Sequence, residues 1–234
     1  MIIDYLGHSG FLVETEQQLL LFDYYRGDLS LLDNNLSDKP LFVFVSHAHP
    51  DHFNPEIFSL AGQGRQVKYL LSFDLQGHPA IPQDTDVSYL DTDQDYVVPG
   101  LGIVQTLRST DEGVAFLTRT GTETVFHAGD LHWWDWPGED PDWLSEQKQV
   151  FQAEVGKLAG VRLDAAFLVL DDRLEENYAE GMAWFLSVCA PKYALPMHFW
   201  KDRDIVDRYL SCYAGASPDT QILNTAKQTH WEIP

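Results

Sequence analysis

The feature that most constrains the fold of this chain is a cluster of ligand-type side chains directly after a short apolar run. The stretch FVSHAHPDHF places His47, His49, Asp51 and His52 within six positions, immediately after residues 41–46. Residues 41–46 are apolar without alternation, which is typical of a strand that is covered on both faces. We therefore expect a central strand that delivers imidazole and carboxylate groups to one edge of a sheet.

The residues after the cluster predict a helix. Asn54 suits an N-cap position and Pro55 the first helical position, so a short helix should run toward Ala61. In this strand, turn and helix context, imidazoles two positions apart can converge on one metal ion. The adjacent pair Asp51 and His52 points to a second ion position close to the first.

The order of elements predicts an α/β chain of two halves. The first half contains strand-like runs, and turn residues such as Glu16-Gln17 and Gly121-Thr122 predict antiparallel hairpins between several of them. The second half starts again at residue 124 and alternates strands with helices. Asp140-Pro141 predicts the start of one helix, another is expected over residues 174–188, and the last should end at Gly215. We expect one domain over residues 1–234. The strand-like runs of the first half are MIIDYL, GFLVET, LLLFDYY, PLFVFVS, VKYLLSF, GIVQTLRS and GVAFLTRT.

Charge and composition limit the classes of partner and location. The chain has 36 acidic and 15 basic residues, a net charge of −21, which would repel a nucleic acid backbone over most of the surface. We therefore expect no nucleic acid partner. No run reaches the roughly 20 apolar residues of a membrane span, and the first residues do not resemble a signal peptide. A cytoplasmic protein without a membrane partner is the expectation, and a homo-oligomer stays open.

The motif HAHPDH resembles the signature of the metallo-β-lactamase fold superfamily, and further matches follow along the chain. Asp130 in HAGDLHWW matches the strand-end aspartate of that family, and His198 in LPMHF matches its late histidine. The opening YLGHSGFLVE resembles the N-terminal hairpins of the branch that includes ascorbate-phosphate lactonases. The resemblance implies a four-layer αββα sandwich and a small-molecule substrate.

The resemblance also implies a metal centre with two pockets. His47 and His49 would belong to the first pocket, and Asp51, His52 and His198 to the second. Asp130 would bridge the two pockets, and Asp51 would also be the catalytic residue that orients a metal-bound hydroxide. One or two divalent ions are implied. Zinc is the first choice by the nitrogen and oxygen ligand types, with manganese or iron as the other candidates.

The chain departs from the family pattern at one position. Where the family has a further histidine of the first pocket, the stretch RSTDEGVAF offers Ser109 and Asp111. A serine hydroxyl is a poor metal ligand at neutral pH. Three outcomes stay open: one ion in the second pocket, two ions with Asp111 or water as the replacement ligand, or a first pocket that fills only with substrate.

Several other residues have both a functional and a structural interpretation. Asp23 could hydrogen bond a metal ligand or cap a turn, and His8 could border the pocket or lie in an ordinary turn. Arg173 could hold an anionic substrate group or pair with its acidic neighbours. The tryptophans of DLHWWDW could form the wall of a substrate cleft or fill the core.

The combined prediction is a metal-dependent hydrolase that uses metal-bound hydroxide to cleave an ester, lactone or phosphoester bond in a small molecule. A divalent ion lowers the pKa of its bound water from 15.7 to about 7, which supplies hydroxide at neutral pH. The alternative from another class is a metal-binding or sensing protein without catalysis. A nuclease is a third alternative, which the net charge of −21 disfavours.

Overall fold

The apolar runs at the start of the chain form strands of one mixed sheet. The computed structural model describes residues 1–32, 39–63, 65–213 and 217–234. In this sheet the strand order is β14-β1-β2-β3-β4-β5-β6. The pairs from β14 to β3 are antiparallel and those from β3 to β6 are parallel. The strands are β1 (Ile2–Gly7), β2 (Gly10–Glu14), β3 (Leu19–Phe22), β4 (Leu41–Val45), β5 (Val67–Ser72), β6 (Val87–Leu90) and β14 (His230–Glu232).

A second mixed sheet repeats this arrangement, with antiparallel pairs from β7 to β10 and parallel pairs from β10 to β13. Two of the runs that we assigned to the first half, GIVQTLRS and GVAFLTRT, pair in this second sheet. Alternation within a run does not specify the strand beside which it pairs. The strands are β7 (Asp95–Val98), β8 (Gly102–Arg108), β9 (Val114–Arg119), β10 (Thr124–His127), β11 (Ala165–Val169), β12 (Tyr193–Met197) and β13 (Gln221–Ile222).

Helices cover the outer faces, and they follow the predicted capping residues. Helix α1 (Pro141–Gly156) begins at Asp140, whose side chain accepts hydrogen bonds from two backbone N–H groups of the first turn. The helix predicted after Asn54 is a 3-10 segment, Pro55–Gln63, and the helix predicted over residues 174–188 divides into a 3-10 segment, Asp172–Asn177, and α2 (Glu180–Val188). The last helix is α3 (Ile205–Tyr213), and Gly215 lies outside the described residues.

Two hydrophobic clusters lie on opposite faces of the first sheet, because alternate side chains of a strand point to opposite faces. Phe22 and Phe44 belong to the cluster between the sheets, where the ring of Phe11 stacks on that of Phe167 at 4.0 Å. Leu21, Val43 and Val45 belong to the outer cluster, which the 3-10 segments cover with residues such as Ile57. All five residues of β4 are therefore buried, as predicted for a strand covered on both faces.

The observed arrangement is the predicted αββα sandwich, and its parallel strands fix the location of the site. Strands β3, β4 and β5 run in parallel, as do β10, β11 and β12. The carboxyl ends of parallel strands meet at one edge of a sheet, where loops can bring functional side chains together. Among the described residues, no helix is both long and apolar enough to cross a membrane.

Candidate metal centre

The ligand-type residues of the sequence meet at the carboxyl ends of the strands. His47 follows β4, Asp130 follows β10 and His198 follows β12. His8 follows β1, and Asp111 lies between β8 and β9. The site therefore draws side chains from both sheets, and its residues are brought together by folding of the whole chain.

One cluster contains the first pair of histidines and two carboxylates. One ligand atom from each of His47, His49, Asp111 and Asp130 lies within 4.8 Å of the others. His47 Nε2 lies 3.0 Å from His49 Nδ1 and 3.7 Å from Asp130 Oδ2, and His49 Nδ1 lies 3.7 Å from Asp111 Oδ2. Asp111 therefore lies at the place for which the resemblance implies a third histidine. Ser109 is not part of this cluster; its hydroxyl accepts a hydrogen bond from the backbone N–H of Asp111.

A second cluster contains His8, Asp51, His52 and His198, whose ligand atoms also lie within 4.8 Å of one another. His8 Nε2 lies 3.1 Å from Asp51 Oδ2. Asp130 Oδ1 lies 3.2 Å from His52 Nε2 and 3.3 Å from His198 Nε2, so the two oxygens of Asp130 face different clusters. This position between the clusters is what a bridging ligand requires, while the ligand roles themselves stay predictions.

Among the described residues, four buried atoms at this point lie close to one another or to Asp51 but form no hydrogen bond of normal geometry: His8 Nε2, His52 Nε2, His198 Nε2 and Asp130 Oδ1. The Nδ1 atom of His52 bonds to the carboxylate of Asp23, which only accepts, so in the neutral ring Nε2 carries a lone pair. Lone pairs that face a carboxylate oxygen in a buried space repel one another unless a cation lies between them. The donor set of neutral imidazole and carboxylate therefore fits a divalent transition metal.

Two further aspartates hold the histidine rings in place. His52 Nδ1 donates to Asp23 Oδ2 at 2.7 Å, and the backbone N–H of Ser46 donates to Asp23 Oδ1 at 2.7 Å. His198 Nδ1 donates to Asp171 Oδ2 at 2.9 Å. Such carboxylate partners fix the tautomer and direction of a ligating imidazole. For Asp23, the structure shows the hydrogen bond that the sequence left as one alternative.

Asp171 is a functional candidate to which sequence reasoning gave no role. Its side chain is completely buried, and besides His198 it holds Arg173, whose Nε donates to Asp171 Oδ1 at 2.9 Å. Asp171 lies two residues after the buried strand β11, where α/β folds present functional side chains; this signal singled out residues 171–173 in the sequence, but a role was given only to Arg173.

Burial and charge shift the pKa values of these groups. Burial lowers the pKa of both His8 and His52 to about 4. Burial also opposes charge on His198, but Asp130 and Asp171 raise its pKa to about 10. Asp130 is buried as well, yet His198 and His52 hold the pKa of its carboxyl well below the usual range. The site without an ion is therefore a tightly coupled set of charges that favours a carboxylate at Asp130.

Backbone conformation around the site is unusual. His8, Asp23 and His198 have positive φ angles of 52°, 40° and 69°. Non-glycine residues seldom adopt such angles, and the conformation costs free energy that the surroundings must offset. The backbone carbonyl of His8 accepts hydrogen bonds from the Tyr5 hydroxyl at 3.0 Å and from the His198 N–H at 3.0 Å, which holds two of these residues together.

Two glycines permit the close approach of loops behind the histidines. A Cβ atom on Gly113 would lie 1.9 Å from the carbonyl oxygen of Ser46, and one on Gly129 would lie 2.7 Å from the Ser46 Cβ. Both glycines have positive φ angles, 67° and 51°. The loop before β9 and the loop after β10 can therefore pack directly on the residue that precedes His47.

The remaining histidines near the site serve other contacts. His127 is buried, and its Nε2 donates to the backbone carbonyl of Ser9 at 2.8 Å. His132 is buried, and its ring occupies the space beside Gly181 of α2. Neither belongs to the two clusters found among the described residues.

A cavity with a volume of about 200 Å³ opens onto both clusters. Its lining includes Asp51, Asp111, Asp130 and His198 together with Arg173 and tryptophan side chains. This volume is below the 300–1,000 Å³ of typical drug-sized ligand sites. The cavity therefore suits a small molecule more than a polymer.

The sequence of this chain matches a protein family and a named protein. Residues 2–135 match the family described as Beta-lactamase superfamily domain. A protein of Desulforamulus reducens named UPF0173 metal-dependent hydrolase is 27% identical over 212 residues, which are 85% of this chain and 84% of that protein. The match to the family covers more than half of the chain.

Solved structures of low sequence identity have the same fold. Igni18, described as a novel metallo hydrolase from Ignicoccus hospitalis, has a TM-score of 0.64 at 17% identity and covers 100% of this chain and 99% of its own. CmlA, a diiron β-hydroxylase from Streptomyces venezuelae, has a TM-score of 0.65 at 13% identity over 98% of this chain and 53% of its own. Zn²⁺-bound PqqB from Methylobacterium extorquens has a TM-score of 0.55 at 14% identity over 96% and 86%. The fold thus accommodates different metals, and fold alone does not choose among them.

Proposed function

This chain belongs to the β-lactamase superfamily, and on that premise we propose that it is a metal-dependent hydrolase that cleaves an ester, lactone or phosphoester bond in a small molecule. The observation that carries the proposal is the group of buried ligand atoms without hydrogen-bond partners around Asp130. The relative of Desulforamulus reducens, named a metal-dependent hydrolase, supports the same class of reaction.

The residues that would hold the ions follow from the two clusters. His52, His198, Asp51 and Asp130 would hold one ion, with His8 as a further nitrogen donor in the same cluster. His47, His49, Asp130 and Asp111 would hold the other. Zinc is our first candidate for both, and manganese or iron also suit imidazole and carboxylate donors. When bound, such ions supply Lewis-acid chemistry that makes water acidic and polarises the bond to be cleaved.

The side chains of the chain perform the remaining tasks. Asp51 lines the cavity and is partly exposed, so its free oxygen can orient the attacking water and then accept its proton. Asp23 and Asp171 hold His52 and His198 in the neutral tautomer that ligation needs. The indole ring of Trp134, buried beside the site, helps to exclude bulk water, since it lines the cavity next to Asp130.

The expected partner is a small molecule. The cavity volume of about 200 Å³ and the carboxylates around its floor disfavour a nucleic acid strand, as does the net charge of −21. The likeness of the N-terminal hairpins to the lactonase branch makes lactones worth testing. A cytoplasmic location, the lack of a membrane partner and homo-oligomerisation stay predictions.

Turnover and metal content together test this proposal. Purified protein reconstituted with zinc, manganese or iron is assayed with a panel of aryl esters, lactones and bis-aryl phosphates, and its ions are counted by elemental analysis. We expect cleavage of at least one substrate class, and a loss of kcat of about 100-fold or more in Asp51→Ala. Asp4→Asn is the control, since Asp4 pairs with His230 at the surface.

Two results would contradict the proposal. Equal rates for the wild type and Asp51→Ala on every substrate, with ions bound, would leave a metal-binding or sensing protein. A folded protein that retains none of the three metals would remove the basis of the metal centre itself.

A further inference from the structure

The wall of the cavity that faces the two clusters is made of tryptophans and one cation. Four tryptophan side chains and Arg173 line it. Two of these tryptophans are also among the few large apolar side chains that are well exposed in the described residues. Aromatic side chains that line a cavity are typical of small-molecule sites. The four are Trp134, Trp136, Trp143 and Trp200.

Arg173 is held in one position by contacts on three sides. Its Nε and Nη2 donate to the buried carboxylate of Asp171, at distances of 2.5–3.1 Å. Its guanidinium carbon lies 5.3 Å from the ring centre of Trp136 and 5.0 Å from that of Trp200, within cation-π range. The sequence left two roles open for Arg173, an ion pair with its acidic neighbours and the binding of an anionic substrate group. This geometry permits both at once.

The same carboxylate connects the arginine to the metal centre. Asp171 Oδ2 accepts from His198 Nδ1 at 2.9 Å as well as from Arg173. The distance from the guanidinium to the ligand histidine is therefore set by one buried side chain rather than by a flexible loop. The Nη1 group of Arg173 makes no hydrogen bond among the described residues, and the side chain is 44% exposed. It can therefore donate to a ligand.

Two of the tryptophans are also held in place by contacts within the protein. Trp134 Nε1 donates to the backbone carbonyl of Asp130 at 3.1 Å, and the Trp134 ring stacks on Trp136 at 5.5 Å with an interplanar angle of 3°. Trp143 lies in the first turn of α1 and is 37% exposed. The stacked rings of Trp134 and Trp136 therefore offer a flat apolar ligand a fixed surface at little entropic cost.

Charge distinguishes this wall from the rest of the cavity. Arg173 is the only lysine or arginine among the lining residues, whereas Asp51, Asp111 and Asp130 supply carboxylates on the side of the clusters. A fixed planar cation that matches a carboxylate or phosphate is an unusual feature in a chain with a net charge of −21. The cation points to a substrate group of opposite charge.

We infer that the substrate is an aromatic or similarly flat compound with a carboxylate or phosphate group, which Arg173 binds while the tryptophans stack on the ring. The cleaved bond then lies beside Asp51 and the two clusters. That the bound compound is a substrate rests on the proposed hydrolase function. The preference for an aromatic anion is a property of the cavity and can be measured without turnover.

A matched pair of compounds tests the role of the cation. Metal-loaded protein is titrated with 4-hydroxybenzoate and 4-hydroxybenzamide, which differ by one charge, and binding is followed by quenching of tryptophan fluorescence. Hydrolysis of the corresponding aryl acetates is measured in parallel. We expect the wild type to bind the carboxylate about tenfold or more tightly than the amide, as one charge-assisted hydrogen bond allows.

Arg173→Gln should remove this preference, and Arg162→Gln should keep it, because Arg162 is 88% exposed and is not among the lining residues. Elemental analysis checks that both variants retain their ions. A preference that persists in metal-loaded Arg173→Gln would assign the carboxylate to the ions and overturn the inference. If Arg173→Gln does not fold, Arg173→Met replaces it; this long side chain carries no charge, so an unchanged preference in that variant contradicts the inference.

A second pair of variants tests the aromatic wall. Trp143→Ala should weaken binding of both compounds by about threefold to tenfold. Phe73→Ala is the control, because Phe73 is 40% exposed and lies outside this cavity. Equal affinities of Trp143→Ala and wild type would contradict the stacking role. If the binding preferences hold while no substrate of the ester, lactone and phosphate panel is cleaved, the proposed function fails and the inferred binding site stands.

Discussion

At the scale of single residues, the site depends on side chains that the chain brings in from different loops. Asp111 belongs to the first cluster, and His8 contributes a nitrogen atom to the second. A carboxylate is a weaker partner than imidazole for zinc-like ions, and its proton affinity here is increased, since burial and then Asp130 raise the pKa of Asp111. The two pockets should therefore differ in affinity.

Asp111→Asn tests this difference. An amide is a weak ligand, so the affinity of the first pocket for metal should fall. Loss of the hydrogen-bond partner of a metal ligand costs about 10–100-fold in metal affinity, and loss of a ligand itself should cost at least as much. At limiting free metal, elemental analysis should find one ion per chain in the variant. Ser109→Ala is the control, because among the described residues the hydroxyl of Ser109 hydrogen bonds only to the backbone N–H of Asp111, and this variant should keep both ions. Loss of an ion in Ser109→Ala instead would reverse the assignment.

Asp23→Asn tests the hydrogen bond behind the second pocket. Asp23 is completely buried and accepts from His52 Nδ1 at 2.7 Å. Its loss should lower the affinity of the second pocket for zinc by about 10–100-fold, as measured by competition with a chelator. Asp4→Asn is the control. It changes the aspartate–histidine hydrogen bond of an exposed pair, Asp4 and His230, and should leave the affinity for zinc unchanged. Equal affinities of all three proteins would refute the role of Asp23.

At the scale of elements, the helices of the second half fit closely onto the loops that carry the site. Gly181 in α2 lies against the ring of His132, two residues after Asp130, and a Cβ on Gly181 would lie 2.3 Å from the ring. His132 is buried, and its backbone N–H and carbonyl both bond to the hydroxyl of Thr110. The position of α2 is therefore coupled to the loop after β10.

Gly181→Ala should destabilise the protein by about 1–3 kcal/mol, because the added methyl group has no space in a packed region. Gly156→Ala is the matched control, since Gly156 ends α1 with open space around it, and alanine there should be neutral or stabilising by up to about 1 kcal/mol. Urea unfolding of both variants in the same metal state measures the difference. A Gly181→Ala protein as stable as the control would show that α2 can move away from the loop.

At the scale of the whole molecule, the metal centre joins the two sheets. His8 and His52 follow strands of the first sheet, whereas Asp130 and His198 follow strands of the second. An ion bound by all four should stabilise the folded chain and not the unfolded one, because the unfolded chain does not bring them together.

Removal of metal should therefore lower the melting temperature. At an ion concentration of 100 times Kd, binding stabilises the folded state by about 2.7 kcal/mol, which for a chain of this size is roughly 5–10 °C. Calorimetry with excess zinc and with a chelator measures the shift. In His198→Asn, which lacks a ligand of the second cluster, the shift should be much smaller. An equal shift in both proteins would place the ion elsewhere.

Without metal, the protein should lose stability as the pH falls from 6.5 to 5. Burial lowers the pKa values of His8, His52 and His132 to about 4, against 6.5 in the unfolded chain. In this range the unfolded chain binds more protons, so each histidine can remove up to about 1.4 kcal/mol per pH unit. The pKa of His198 is raised instead, so its contribution to stability is lost as the pH rises, and only above pH 6.5. Urea unfolding at pH 6.5 and 5 in chelator measures the loss, and equal stabilities would contradict it.

The sequence by itself determined the strand and turn that carry His47, His49, Asp51 and His52, because their spacing along one segment is local. The resemblance of HAHPDH to a family signature implied the αββα fold, and local residue patterns predicted individual strands and the capped start of α1 at Asp140. Periodicity and capping are properties of neighbouring residues, so they can be recognised without knowledge of distant contacts.

The tertiary structure alone decided which distant side chains complete the site. That Asp111 and not Ser109 faces His49, that His8 reaches Asp51, and that Asp171 joins His198 to Arg173 depend on which strands pair and how two sheets pack. These contacts connect residues far apart in the chain, and no local pattern encodes their separation. The physical reason is that register and packing are settled by the whole core at once, while spacing within a segment is settled by the chain itself.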